Sequence, residues 1–319
     1  MLTAYTGLAT AVCGGRAQAL PPGYRFAQLE IQQAIGEGGF SIVYQAFDHQ
    51  QQRFAAVKEY IPTTIAERNA EGVVVPRNPF LLPTFNAGRD YFCQEAKILG
   101  SLAHPGIPPL WDFWQANGSA YISTPLYGGT TLKKRYAQHP ALVTEPWLRR
   151  LLASLLPTVA AVHRQGYLHR DISWDNIQIA EHQRPILLDF GSACPLAAGG
   201  AKETNIVLKP GFSPVELYCN RGGYAHGPWS DIYAIGALLA TLITGHLPPV
   251  SLTRSIEDRY QPLAQCGPTG YSQRFLRAID AALEVHPADR PQDIAAFARL
   301  LAIDLHDYLT NASKGMMAP

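Results

Sequence analysis

Twelve consecutive residues, Ile232–Ile243, carry no charge and would be apolar on nearly every side of a helix. Such a helix needs apolar neighbours all round, so it belongs inside a large domain or a membrane. At this length it rises only about 18 Å, well short of the roughly 20 residues that a bilayer requires. The chain must therefore build a globular core around it, and Gly245 marks its end. With 319 residues, 47% of them apolar and 16% charged, there is ample material for that core, and the composition is not that of a disordered chain. The length fits two modest domains or one large bilobal one. No other apolar run approaches a membrane span.

The hydrophobic pattern changes character along the chain. Residues 1–20 read as a flexible lead-in, broken off by Pro21-Pro22-Gly23. Strand patterns follow at Tyr24–Ile35, Ile42–Asp48 and Arg53–Tyr60, as in an antiparallel sheet. Residues 61–88 are rich in Pro, Asn and Gly and read as an irregular insertion with a short hairpin at Val73–Val75. Phe92, Ala96 and Leu99 then recur at helical spacing, with Glu95 beside the stripe, until His104-Pro105-Gly106. Two more strands fit Leu110–Gln115 and Ala120–Leu126, and Gly128-Gly129 marks a joint. Beyond it the pattern is helical. Thr144 is placed as an N-cap with Pro146 just inside, and Leu148, Leu151, Leu152, Leu155, Leu156, Val159 and Val162 follow at helical spacing. Pro157 is expected to interrupt and kink that helix. Further helices fit Ser272–Glu284 and Asp293–Leu309.

The formal net charge of +1 gives no bulk attraction to nucleic acid or to an anionic membrane. The five cysteines, at 13, 93, 194, 219 and 266, contain no C-x-x-C pair, so a structural zinc site is not expected and single thiols are. Single thiols suit a reducing compartment, and the expected location is the cytoplasm. The first dozen residues are fairly apolar, but no Lys or Arg precedes Arg16, a poor fit to a signal peptide; export by a route without a recognisable signal stays open.

Four clusters carry chemistry. Ile35-Gly36-Glu37-Gly38-Gly39-Phe40-Ser41-Ile42-Val43 is a glycine-rich turn between two strand patterns. Glycines there let backbone N–H groups approach phosphate oxygens, although a hairpin turn alone would also use them, and Ser41 stands where the usual third glycine falls. Ala56-Val57-Lys58 places a lysine in an apolar strand. By itself the tripeptide reads by default as a snorkelling edge lysine, but a buried lysine needs a partner, and Glu95 on the following helix is the candidate. His169-Arg170-Asp171-Ile172-Ser173-Trp174-Asp175-Asn176 comes next, and thirteen residues after Asn176 stands Asp189-Phe190-Gly191 at the end of the apolar run Ile186-Leu187-Leu188. Asp171 would take up or orient an acceptor hydroxyl proton, while Asn176 and Asp189 would hold divalent metal against phosphate oxygens.

With these elements in this order, the sequence resembles the eukaryotic-like serine/threonine protein kinases, and most closely their bacterial members. The resemblance runs from about Tyr24 to Leu309. It extends to Lys209-Pro210-Gly211-Phe212-Ser213-Pro214-Val215-Glu216, which looks like the end of an activation segment, and to Asp289-Arg290-Pro291, which supplies the expected ion-pair partner of Glu216. Asp231 resembles the buried aspartate that braces the catalytic loop and also reads as an N-cap. Leu20-Pro21-Pro22-Gly23-Tyr24, Lys58-Glu59-Tyr60-Ile61-Pro62 and Trp229-Ser230-Asp231-Ile232-Tyr233 read like the bacterial subgroup.

The resemblance implies an α+β, bilobal protein-kinase fold: a flexible segment 1–23, a small β-rich N-lobe with one main helix at 24–127, a larger helical C-lobe at 128–309 and a tail at 310–319. It implies transfer of the γ-phosphate of ATP, with Mg2+ or Mn2+, to Ser/Thr hydroxyls of proteins, with autophosphorylation. The nucleotide would meet Ile35, Gly36, Gly38 and Gly39 of the turn. Val43 and Ala56 would roof the adenine, Thr124 would be the gatekeeper, and Pro125–Tyr127 the hinge, with the Tyr127 N–H as donor. Arg170 beside Asp171 implies control through a phosphorylated residue of the activation segment, with Thr204 first, then Ser192 and Ser213.

Two positions depart from the family pattern. The residue two after Asp171 is normally a lysine that contacts the transferring phosphate, and here it is Ser173; one lost charged contact costs about 3 kcal/mol, or a hundredfold in rate. Lys209 falls where many members carry a threonine, and it either takes over that contact or faces solvent and docks substrate. Gln178 falls where an apolar side chain normally lies under the adenine ring, and its amide needs hydrogen-bond partners. Trp174 reads as packing. These departures favour a pseudokinase as the rival reading, with a small-molecule kinase as a third.

Overall fold

Alternation of apolar and polar residues in the first third of the chain drives it into strands whose alternate side chains face opposite ways. The computed structural model describes residues 18–180, 183–196, 208–218 and 224–305. The described chain divides into two compact units, one formed by residues up to Gly100 with Pro109–Tyr127, the other by Ser101–Pro108 with the residues from Gly128 onward.

The first unit holds a six-stranded antiparallel sheet in the order β1-β2-β3-β4-β8-β7. Its strands are β1 (Arg25–Phe26), β2 (Leu29–Glu37), β3 (Ser41–Asp48), β4 (Arg53–Tyr60), β7 (Asp112–Ala116) and β8 (Ser119–Pro125). A separate hairpin pairs β5 (Ala66–Arg68) with β6 (Val74–Pro76). The stretch 61–88 is therefore less irregular than its Pro and Gly content suggests. Its hairpin sets Val74 opposite Arg68, and its last seven residues already belong to helix α1 (Leu82–Ser101). The end of the lead-in is anchored too: Arg68 donates from its backbone N–H to the Gln18 side chain at 2.7 Å and from Nε to the Gln18 carbonyl at 2.9 Å. Leu20 is buried.

On the buried face of the sheet lies Glu59, fully out of solvent. Tyr44 and Arg68 donate to its Oε2 at 2.6 and 2.7 Å, and Tyr121 to its Oε1 at 2.5 Å. A buried carboxylate is tolerated only with this density of donors. Burial and the adjoining Glu59 charge raise both tyrosine hydroxyls well above the ordinary tyrosine pKa.

The second unit is mainly helical: α2 (Leu132–Gln138), α3 (Glu145–Arg164), α4 (Val215–Tyr218), α5 (Pro228–Thr244), α6 (Ser251–Arg254), α7 (Leu263–Cys266), α8 (Gln273–Ala282) and α9 (Ile294–Leu301). Short strands β9 (Thr130–Thr131), β11 (Ile177–Ile179) and β12 (Pro185–Leu187) form one small sheet, and β10 (Tyr167–Leu168) pairs with β13 (Cys194–Pro195). Helix α5 contains the all-apolar stretch and is buried from Ser230 to Leu242. It ends on Gly245, which takes φ 78°. Side chains cap four helices: Thr144 accepts from the Trp147 N–H as expected, and Thr131 accepts from Lys134, Ser272 from Phe275 and Asp293 from Ala296.

Three sequence expectations change. Helix α3 continues through Pro157 to Arg164, because ten of its residues, Pro157 among them, are buried and their packing outweighs one lost backbone bond. Helix α9 stops at Leu301 rather than Leu309, because Ala302 turns left-handed at φ 52°. Asp231 is not an N-cap; the helix begins at Pro228, and the carboxylate is committed elsewhere. Among the described residues no helix is long and apolar enough to cross a membrane.

Candidate active site

Strand pairing in the first unit fixes which side chains share a face. Val43 stands opposite Lys58 across β3 and β4, and Ala56 opposite Thr124 across β4 and β8. With a two-residue period, Val43, Ala56, Lys58 and Thr124 all lie on one face, the opposite one from Glu59. Lys58 Nζ reaches Glu95 of α1 at 2.8 and 3.0 Å. The snorkelling reading of Lys58 thus gives way to a paired lysine.

The glycine-rich stretch closes β2 onto β3, and the Gly38 N–H donates to the Ser41 carbonyl at 2.9 Å. None of Gly36, Gly38 and Gly39 has a positive φ. A Cβ on Gly39 would meet nothing within 4 Å, and one on Gly38 only the Ser41 carbonyl at 3.7 Å. The chain itself does not require glycine at these two places. Ile35 is exposed beside them, and Pro125 closes β8, two residues before Tyr127.

In the second unit the catalytic-loop sequence is held by Asp231. This fully buried carboxylate accepts from the His169 and Arg170 N–H groups at 2.9 and 2.8 Å and from His163 Nε2 at 2.8 Å. Burial opposes its charge, yet the hydrogen bond and charge of His163 and the His169 contacts hold its pKa below the ordinary value. The loop needs the restraint because Arg170 takes φ 61°, an uncommon value outside glycine. His169 is buried, which pushes its imidazole pKa down. Its Nε2 lies 3.2 Å from the Leu188 carbonyl, and its Nδ1 accepts the Asp171 N–H at 3.3 Å, a pattern that a neutral ring satisfies. His169 also packs edge-on against Phe190 at 4.8 Å.

Asp171 sits at the centre. Asn176 Nδ2 donates to its carbonyl at 2.9 Å and to its Oδ2 at 2.7 Å, and Lys209 Nζ lies 2.8 Å from its Oδ1. Burial raises the Asp171 pKa, with Lys209 pulling the other way. Asp189 follows β12, is exposed, and takes φ 61°; its Oδ1 accepts the Gly191 N–H at 3.2 Å. Lys209 also donates to Ser173 Oγ at 2.8 Å, and its side chain is partly accessible. Gln178 pairs with Thr131 and Ile186 in the small sheet, and its amide donates to the Gly128 carbonyl at 3.3 Å.

The expected control elements fare unevenly. Arg170 Nε donates to the Ser192 carbonyl at 2.8 Å. Ser192 and Ser213 are both buried, and the Ser213 hydroxyl accepts the Lys209 N–H at 2.8 Å. Thr204 lies outside the described residues. Trp174 is a packing residue, 6.0 Å from Tyr136 and 6.2 Å from Phe212 by ring centroids. Glu216 and Arg290 form a fully buried pair at 2.7 and 3.1 Å, joined by Ser230 Oγ at 2.7 Å. The Glu59 network was not foreseen; the signal available was an acidic residue among apolar neighbours beside Lys58.

Comparisons with known proteins identify the family. The family model for the protein kinase domain matches residues 29–298. The chain is 29% identical over 275 residues to the serine/threonine-protein kinase PknK of Mycobacterium tuberculosis, covering 82% of this chain and 22% of that protein. It is 30% identical over 273 residues to the serine/threonine-protein kinase PknA of Nostoc sp., covering 80% of this chain and 43% of that protein. It therefore spans less than half the length of either relative. The solved structure of PpkA-294 in its apo form superposes with a TM-score of 0.80 at 52% identity, covering 89% of this chain and 99% of that one. This chain belongs to the protein kinase family, which implies ATP and a divalent cation.

Proposed function

We propose that this chain transfers the γ-phosphate of ATP to serine and threonine hydroxyls of proteins, its own among them, with Mg2+ or Mn2+ as the cation. The observation that carries this reading is Asp171, a largely buried carboxylate gripped by Asn176 and Lys209 in a loop that Asp231 holds at two backbone N–H groups. Asp171 accepts the proton of the acceptor hydroxyl as that oxygen bonds to phosphorus. Lys58, oriented by Glu95, binds phosphate oxygens. The glycines of the β2–β3 turn, which the chain's own packing does not demand, leave room for phosphate oxygens to approach backbone N–H groups. The shared face of Val43, Ala56 and Thr124 supports an adenine site there, with the Pro125–Tyr127 stretch as its hydrogen-bonding edge and Ile35 beside it.

Asn176 and Asp189 suit a hard cation. Asn176 spends its amide nitrogen on Asp171, and its Oδ1 accepts no hydrogen bond among the described residues. One carboxylate and one amide oxygen match the sparse protein ligation that Mg2+ accepts when water and phosphate complete its shell. When bound, the cation neutralises charge on the phosphates. The pseudokinase reading rests on Ser173 and Gln178. Against it, a cation does stand beside Asp171, and the Gln178 amide has a hydrogen-bond partner.

The test is product analysis. Wild-type protein and Asp171→Asn are incubated with γ-labelled ATP, Mg2+ or Mn2+ and general protein substrates, followed by acid hydrolysis. Labelled phosphoserine and phosphothreonine from the wild type alone support the reading. Label found only on tyrosine or on small molecules contradicts it.

A further inference from the structure

Lys209 comes from a part of the chain remote from Asp171 in sequence, yet its ammonium touches the carboxylate. Its backbone is firmly placed. The Phe212 and Ser213 N–H groups both donate to the Lys209 carbonyl, at 3.0 and 2.9 Å. The Lys209 N–H donates to Ser213 Oγ at 2.8 Å, and Ser251 Oγ ties down the Ser213 carbonyl at 2.8 Å. Gly211 makes the turn at φ 86°, against the side chain of Leu247. From this anchored turn the side chain extends to Asp171 Oδ1 and Ser173 Oγ, each at 2.8 Å. Ser173 is completely buried, and Lys209 is the partner of its hydroxyl.

An ammonium has three N–H donors. Two are committed, to the base and to the serine. For the third no acceptor stands among the described residues, and the Lys209 side chain keeps 27% of its surface accessible. The remaining donor is thus available beside the atom that must take the proton of an incoming hydroxyl. Ser173 fixes the ammonium from below, in the buried interior, so its direction is set before any substrate arrives. Electrostatic stabilisation of this preorganised kind is among the largest single contributions to catalysis.

We propose that Lys209 is a catalytic residue: with Ser173 as its positioning residue, it supplies the fixed positive charge that stabilises the transferring phosphoryl group next to Asp171. Serine stands in the catalytic loop at 173, and the lysine stands in the segment that leads to Glu216. In the step, the acceptor oxygen bonds to the γ-phosphorus while the bond from that phosphorus to the bridging oxygen breaks. The electron pair leaves with ADP, and the hydroxyl proton passes to Asp171. Lys209 keeps its protons throughout and contributes charge alone. The alternative is a purely structural ion pair that holds Asp171 in place.

This inference rests on the proposed kinase activity, so wild-type transfer to a protein substrate is measured first. Steady-state kinetics of Lys209→Met, Ser173→Ala and the exchanged double variant Ser173→Lys with Lys209→Thr then decide it. Lys209→Met is expected to lower kcat about a hundredfold, with the KM for ATP moving by less than about threefold. Ser173→Ala is expected to lower kcat by about tenfold, and the exchanged variant to recover at least about tenfold over Lys209→Met. Thermal unfolding with and without ATP reports folding, and the exchanged variant carries the test if Lys209→Met does not fold. A folded Lys209→Met with kcat within about threefold of wild type overturns the proposal. So does an exchanged variant that is folded and as slow as Lys209→Met. Absence of transfer by the wild type removes the kinase reading and this one with it.

Discussion

Lys58 and Glu95 meet at 2.8 Å, and little of either side chain remains accessible. A lysine in an apolar strand announces that it needs a carboxylate, so this contact could be read from sequence once the helix after it was located. Glu95→Gln keeps the shape but removes the negative charge; it is expected to lower kcat/KM for ATP about tenfold, the low end for a charged hydrogen bond. Lys58→Met is expected to abolish the thermal stabilisation by ATP, which at a hundredfold excess over Kd amounts to about 2.7 kcal/mol in the parent. Steady-state kinetics check the first, and differential scanning fluorimetry the second. Glu59, one residue along, was opaque in the sequence because its partners Tyr44, Arg68 and Tyr121 come from three different strands. Alternation alone puts it opposite Lys58, and only the fold shows that this face is the buried one. The Ser173–Lys209 contact was half legible: the two departures were visible, but the distance between them was not.

At the scale of elements, the catalytic loop is braced by α5 through Asp231. Its folded pKa is depressed, so its contribution to stability is present above the unfolded aspartate value and is lost as pH falls through the folded value. Asp231→Asn is therefore expected to lower Tm most at neutral pH, by roughly 5–10 °C for a loss of about 3 kcal/mol. The gap to wild type should narrow below about pH 4. Melts of both proteins across that range measure it, and a gap that widens in acid contradicts the assignment. Helix starts were legible where a Thr, Ser or Asp caps them, as at Thr144, Ser272 and Asp293. The end of α9 was not, since Ala302 reverses the chain without a glycine to mark it. The four-residue helices α4, α6 and α7 were illegible for a different reason: they are too short for a period to register.

Across the whole molecule, the turn from two-residue to helical periodicity near Gly128 was enough to give a β-rich part followed by a helical one. Gly129 itself is fixed by sterics, with φ 93° and a Cβ that would fall 2.0 Å from the Ile179 carbonyl. The larger unit is closed by Glu216 and Arg290, far apart in sequence and both at 0% side-chain exposure. Arg290 also donates to the Glu284 and Val285 carbonyls, each at 2.7 Å. Arg290→Ala strands a buried carboxylate and is expected to cost about 3–5 kcal/mol, readable as a lower denaturation midpoint in urea.

The proposed transfer depends on Asp171 accepting the hydroxyl proton. Single-turnover transfer of labelled γ-phosphate to a protein substrate, with ATP affinity measured on the same samples, tests this most directly for wild type and Asp171→Asn. The expected result is a transfer rate lower by a factor of about 10²–10⁴ in Asp171→Asn, with ATP affinity essentially unchanged. Equal transfer rates in the two proteins, or wild-type protein that binds ATP and transfers nothing, would contradict it.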